Sequence, residues 1–172
     1  MATVSPEGFA ATVHAVPTGI TYSVLLLLHI GSAVIGFGAV SMTGWQAWRA
    51  ARGPGAPAAD SVRRYFRPGA NIAARALYGV PVFGLGLVVD SHGAFTGNDG
   101  FVVAGLILWL GATVVAEVVV WPGERRLQQM VRDGWEAGRG RPVADEGRRV
   151  AAAATVLVVV FVVAVVLMVT QP

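Results

Sequence analysis

Three side chains could do chemistry from inside otherwise apolar stretches of this sequence: His29, Arg75 and Glu117. An imidazole can donate from one ring nitrogen while the other accepts a hydrogen bond or ligates a metal. His29 therefore reads either as a packing residue that donates one hydrogen bond to a neighbouring helix, or as a ligand to haem iron or copper. A bis-histidine haem would need a second histidine at similar depth, and both His14 and His92 fall outside the apolar stretches. Arg75 and Glu117 carry opposite charges near the same end of two different apolar stretches, which makes an ion pair the economical expectation. Glu117 reads alternatively as a proton or ion relay, which would call for a second acid at mid-depth.

The elements that hold these residues follow from composition. The 172 residues are 55% hydrophobic and 13% charged, and the charges lie in blocks between long apolar runs. A bilayer core of about 30 Å needs roughly 20 apolar residues of helix, because unpaired backbone groups are not tolerated in hydrocarbon. Four segments qualify, at about 20–43, 72–89, 101–121 and 150–169. The expected fold is all-α, a single integral membrane domain over 1–172 forming a four-helix bundle. His29 then sits near mid-bilayer. Glu117, sixteen residues after Phe101, is about 24 Å along its helix at 1.5 Å per residue, a turn or so short of the far surface.

Direction follows from the basic residues, all thirteen of which are arginine. Twelve lie in the 44–71 and 122–149 connections and Arg75 lies just inside the second span, whereas the N-terminal tail, the 90–100 loop and the C-terminal tail have none. Short basic loops stay in the cytoplasm, so both termini and the 90–100 loop are expected outside. The tail ahead of the first span lacks a basic region, so that span reads as a retained helix. The arginines fit anionic lipid head groups better than nucleic acid. Trp45, Trp48, Trp121 and Trp135 gather at the same inner interface. Val62, Tyr65 and Phe66, and again Leu127, Met130, Val131 and Trp135, are spaced to lay short amphipathic helices on the head groups. A cysteine-free chain has no disulfide, thiolate metal site or cysteine nucleophile.

Within the spans, His29 shares a face with Ser32, Ala33 and Gly36, small residues that allow close helix approach. Pro81 is expected to kink the second span, and Arg75, Gly79, Phe83, Gly86 and Asp90 fall near one face assigned to the bundle interior. The fourth span is alanine and then almost pure valine, phenylalanine and leucine, which reads as lipid-facing and without a site.

The helix LLLLHIGSAVIGFGA, the basic first connection, the second helix leading into glycine and the stretch VVVWPGERR together resemble the small bacterial four-helix membrane proteins grouped as domain of unknown function 2269. LHIGSAVIGFG is more loosely similar to the copper-resistance D membrane domain and the HemJ-type protoporphyrinogen oxidases, in which a histidine of such a helix matters. That likeness implies haem b or copper at His29; the chain departs from the HemJ-type pattern in having no lysine and no second membrane histidine. No nucleotide-binding, zinc-protease or hydrolase motif is present. The expected protein is a non-enzymatic accessory or small-solute-handling component of a bacterial inner membrane, alone, as a homodimer or in a larger complex. The alternatives are a haem- or copper-associated redox protein using His29, and a transporter with Glu117 as a polar relay.

Overall fold

From Ile20 to Ala50 the chain has no proline and is mostly apolar, and it forms one uninterrupted helix, α1 (Ile20–Ala50). The computed structural model describes residues 19–55, 59–69, 71–133 and 140–170, and within them every regular element is helical. After α1 come α2 (Ala59–Tyr65), a 3-10 stretch (Ala73–Tyr78) leading into α3 (Gly79–Asp90), and α4 (Gly100–Val115). A π turn (Ala116–Val120) joins α4 to α5 (Trp121–Arg132), and α6 (Gly140–Thr170) follows. Four of the resulting rods are long and apolar enough to cross a membrane: Ile20–Ala50, Ala73–Asp90, Gly100–Arg132 and Arg141–Thr170.

Three rods exceed the expected spans, always toward the arginine-rich end. The end of a span is set by hydrocarbon thickness, whereas the end of a helix is set by its caps, so the two need not coincide. α1 continues to Ala50 and stops where Gly53 turns back with φ of 95°, the left-handed conformation that glycine adopts without penalty. The expected loops 44–71 and 122–149 are therefore largely helical. The amphipathic stripes assigned to head groups face protein instead: Val62 and Leu127 are fully buried and Phe66 nearly so. Trp135 and Arg139, and the N-terminal tail with His14, lie outside the described residues.

Both membrane-depth prolines sit just after an irregular turn. Pro81 has no N–H to give Leu77's carbonyl an α-helical bond, and the chain ahead of it is wound as 3-10 helix. The Trp109 indole N–H donates to that carbonyl at 2.9 Å instead. Pro122 likewise cannot bond Val118's carbonyl and its ring crowds it, and the turn before it widens to π.

The fourth rod departs most from expectation. Val143, Gly147, Val150, Ala154 and Leu157 are buried at alternating spacings of four and three, a seam facing α1. Small residues bring the two helices close. A Cβ on Gly44 would lie 2.4 Å from Ala154 Cβ, and one on Gly147 would lie 2.6 Å from the Ala47 carbonyl oxygen. Phe37 and Phe161 stack across the same interface with ring centroids 4.7 Å apart.

Candidate functional site

The two irregular turns lie side by side, and they bring together residues that a pair of straight helices would space differently. The 3-10 stretch supplies Arg75 and Tyr78; the π turn and the residue after it supply Glu117 and Trp121. Arg75 Nη1 is 3.6 Å from Glu117 Oε1. Tyr78 donates its hydroxyl hydrogen to the same carboxylate oxygen. The Arg75 guanidinium also lies over the Trp121 ring, 3.6 Å from its centroid, a cation–π contact that holds the charge in a fixed direction. Arg75 and Glu117 lie on the outside of the bundle, their side chains 35% and 47% exposed, and cover Trp121, which is buried. Arg75 therefore does not share the face of Gly79 and Gly86, which rest against Ser32 and Leu25 of α1.

Immediately beside it lies a second polar cluster that sequence reasoning missed. Asn71 Oδ1 accepts from the Ala74 N–H at 3.3 Å and so caps the 3-10 stretch. Its amide nitrogen sits 3.3 to 3.4 Å from Thr43 Oγ1, the Tyr65 hydroxyl and Glu124 Oε1. Thr43 donates to the Ala39 carbonyl, so the 2.7 Å bond between Thr43 and Tyr65 has the phenol as donor. Burial raises the Tyr65 phenol above its usual value; the Thr43 and Asn71 bonds oppose this and the Glu124 charge adds to it. Thr43 and Glu124 are both buried.

Between the clusters is a cavity of about 280 Å³ lined by Gly69, Asn71, Arg75, Trp121, Glu124, Arg125 and Gln128. It presents two guanidiniums, one carboxylate, two amides and an indole. The Trp121 indole nitrogen is buried and finds no acceptor among the described residues. An orphaned donor of this kind is uncommon and costly. In the sequence, Glu124 is hidden in a charged stretch and Asn71 follows a proline-glycine turn, so neither stands out by type. The one available signal is that Trp121, Glu124 and Gln128 recur at helical spacing.

His29 lies apart from these residues, toward the other end of the bundle. Its Nδ1 is 2.8 Å from the Val80 carbonyl oxygen, which fixes Nδ1 as the protonated nitrogen because a carbonyl only accepts. Gly84 makes the room: a Cβ there would lie 3.0 Å from His29 Cε1. No three side chains of histidine, aspartate or glutamate gather among the described residues. For haem, His29 offers a single axial nitrogen, and His92 stands in the turn after α3, so these two do not make a bis-histidine haem site.

Further arginine–aromatic contacts mark the arginine-rich end as a whole. Arg52 lies 3.5 Å from the Trp48 ring centroid and Arg49 5.3 Å from that of Trp45, with both indoles on the bundle surface. Four apolar rods with a charged, indole-rich end define an integral membrane protein. The chain belongs to the family of predicted integral membrane proteins designated domain of unknown function 2269, whose model matches residues 23–172. No curated protein and no solved structure matches it.

Proposed function

We propose that this chain is a non-enzymatic, small-solute-handling component of a bacterial inner membrane, and that the solute enters the polar cavity at the arginine-rich end. Both termini lie outside and the cavity opens toward the cytoplasm, a direction supported by the one-sided arginines. The observation that carries the reading is the pair of guanidiniums, Arg75 and Arg125, that share one cavity with the Gln128 amide. Two cationic donors beside an amide call for a solute rich in acceptors, and a small carboxylate is the simplest one that satisfies them. Glu124, held by Asn71, faces the same space and accepts from any donor the solute carries. Arg75 is pinned by Glu117, Tyr78 and Trp121, so it meets the solute in a preset orientation.

Thermal unfolding of the detergent-purified protein with acetate, succinate and glutamate tests this. At least one carboxylate is expected to raise the midpoint saturably, with affinity reduced about tenfold in Arg125→Gln, which keeps a long polar side chain and removes the charge. No stabilisation by any of them up to tens of millimolar overturns the reading. Single cysteines in the cysteine-free chain test direction: Arg67→Cys is expected to label only from inside and Asn98→Cys only from outside.

A further inference from the structure

The half of the bundle away from the arginines contains a second, apolar cavity of about 330 Å³. α3 and α4 follow one another in sequence yet meet far less than α3 meets α1, and the wedge between them is this space. His29 from α1, Pro81 and Gly84 from α3, Phe101 and Trp109 from α4 and Met168 from α6 are among its walls. No aspartate, glutamate or arginine is among the described residues that line it. An apolar space of this size does not hold ordered water, and left empty it forfeits the dispersion contacts of every wall atom. Its natural occupant is a molecule already dissolved in the membrane.

Besides Trp109, two polar side chains among the described residues line it, Tyr22 near the start of α1 and His29 two turns deeper, and His29 selects among such molecules. The Trp109 indole N–H is committed to the Leu77 carbonyl and His29 Nδ1–H to the Val80 carbonyl. His29 Nε2 has no partner among the described residues. In the neutral ring, with the proton on Nδ1 and donated to Val80, Nε2 carries a lone pair and only accepts. A ligand bearing carbonyls or ethers alone leaves that lone pair unmet, whereas a hydroxyl satisfies it. A phenol hydroxyl is more acidic than an aliphatic one and donates more strongly to an imidazole lone pair, and the flat walls of Trp109, Phe101 and Pro81 beside side-chain-free Gly84 suit its ring.

We propose that this cavity binds a lipophilic phenol, with its hydroxyl donating to His29 Nε2 and its ring lying between α3 and α4. The site is independent of the polar cavity at the other end. Trp109 reports on it, because Trp45, Trp48 and Trp121 belong to the arginine-rich end. The probes are 2-bromo-4-nonylphenol and its methyl ether, equal in bulk and quenching power but differing in the hydroxyl hydrogen. Quenching is taken as the difference between the wild type and Trp109→Phe. The phenol is expected to quench saturably at about tenfold lower concentration than the ether, to lose that advantage in His29→Phe, and to be excluded with the ether by Gly84→Leu. Equal quenching by phenol and ether in the wild type overturns the proposal without recourse to any variant. A haem absorbance band on the purified protein that disappears in His29→Ala also overturns it, because iron then holds Nε2.

Discussion

α1 buries eight residues between Gly36 and Ala50 and none between Ile20 and Ile35. α6 repeats the pattern in reverse chain direction, with buried residues from Val143 to Leu157 and none beyond. α3 buries only Leu87, and α4 only Ala112, near its junction with the π turn. The arginine-rich half is thus a packed protein interior, and the other half is a loose set of apolar rods with a cavity among them. Lipid explains the difference. Hydrocarbon solvates an exposed valine as well as another valine does, so nothing forces rods together at membrane depth except shape and polar bonds. Toward water the hydrophobic effect returns, and the helices that run beyond the bilayer must seal one another's apolar faces. The two candidate sites divide in the same way: the packed half holds a preset polar cavity, and the loose half holds a space that a membrane solute can enter.

That contrast is most exposed to glycine substitution. Gly147→Val would place side-chain atoms against the Ala47 carbonyl and Ala51, both backbone-bound and unable to yield. A loss of about 2 to 3 kcal/mol is expected, measured as a lower denaturant midpoint in detergent. Gly31, in the loose half of α1, has nothing within 4 Å of a built Cβ. Gly31→Ala is therefore expected to change stability by less than about 0.5 kcal/mol. Equal losses would mean that the two halves do not differ in packing, or that a second copy covers Gly31.

A smaller effect is expected at the boundary between the halves, where Arg75 meets Glu117. Arg75→Ala removes an ion pair and a cation–π contact and leaves Glu117 bonded to Tyr78. Because both side chains are more than a third exposed, about 1 kcal/mol is the appropriate scale, seen as lower yield and a lower midpoint. The charge-swapped pair Arg75→Glu with Glu117→Arg is expected to recover part of it. Recovery in full would show that the Trp121 contact contributes nothing; no recovery would show that it dominates.

How much of this was legible beforehand depends on what acted as the ruler. The bilayer is a ruler of fixed length, so four spans and the common depth of Arg75 and Glu117 follow from counting apolar residues. Beyond the bilayer no such ruler exists. Gly140 to Arg149 reads as a loop because Glu146, Arg148 and Arg149 interrupt it, yet Arg148 and Arg149 lie on the outer side of a seam whose members are Val143, Gly147 and Val150, and Glu146 is tucked beside that seam against Gly123. The π turn was equally hidden: Pro122 announces an irregularity but not its kind, which depends on the neighbours available to take the freed carbonyl. Glu124 and Asn71 matter through a contact made across fifty-three positions of sequence, and spacing within one helix carries no trace of it.

The mildest substitution tests whether the polar network of the packed half is a structural lock. Tyr65→Phe keeps the ring against Phe66 and removes only the hydroxyl that bonds Thr43 and receives from Asn71. At neutral pH a loss of about 1 kcal/mol is expected. The alkaline response has a definite sign. Because burial raises the folded-state phenol above its unfolded value of about 10, the unfolded chain gives up this proton first. The Tyr65 contribution is whole below that pH and is lost as pH climbs toward the folded value. The variant should therefore lose stability less steeply than the wild type above about pH 10. Parallel decline in both would show the phenol to be as free in the folded protein as in the unfolded one, and the network around Asn71 and Glu124 would then not be a lock.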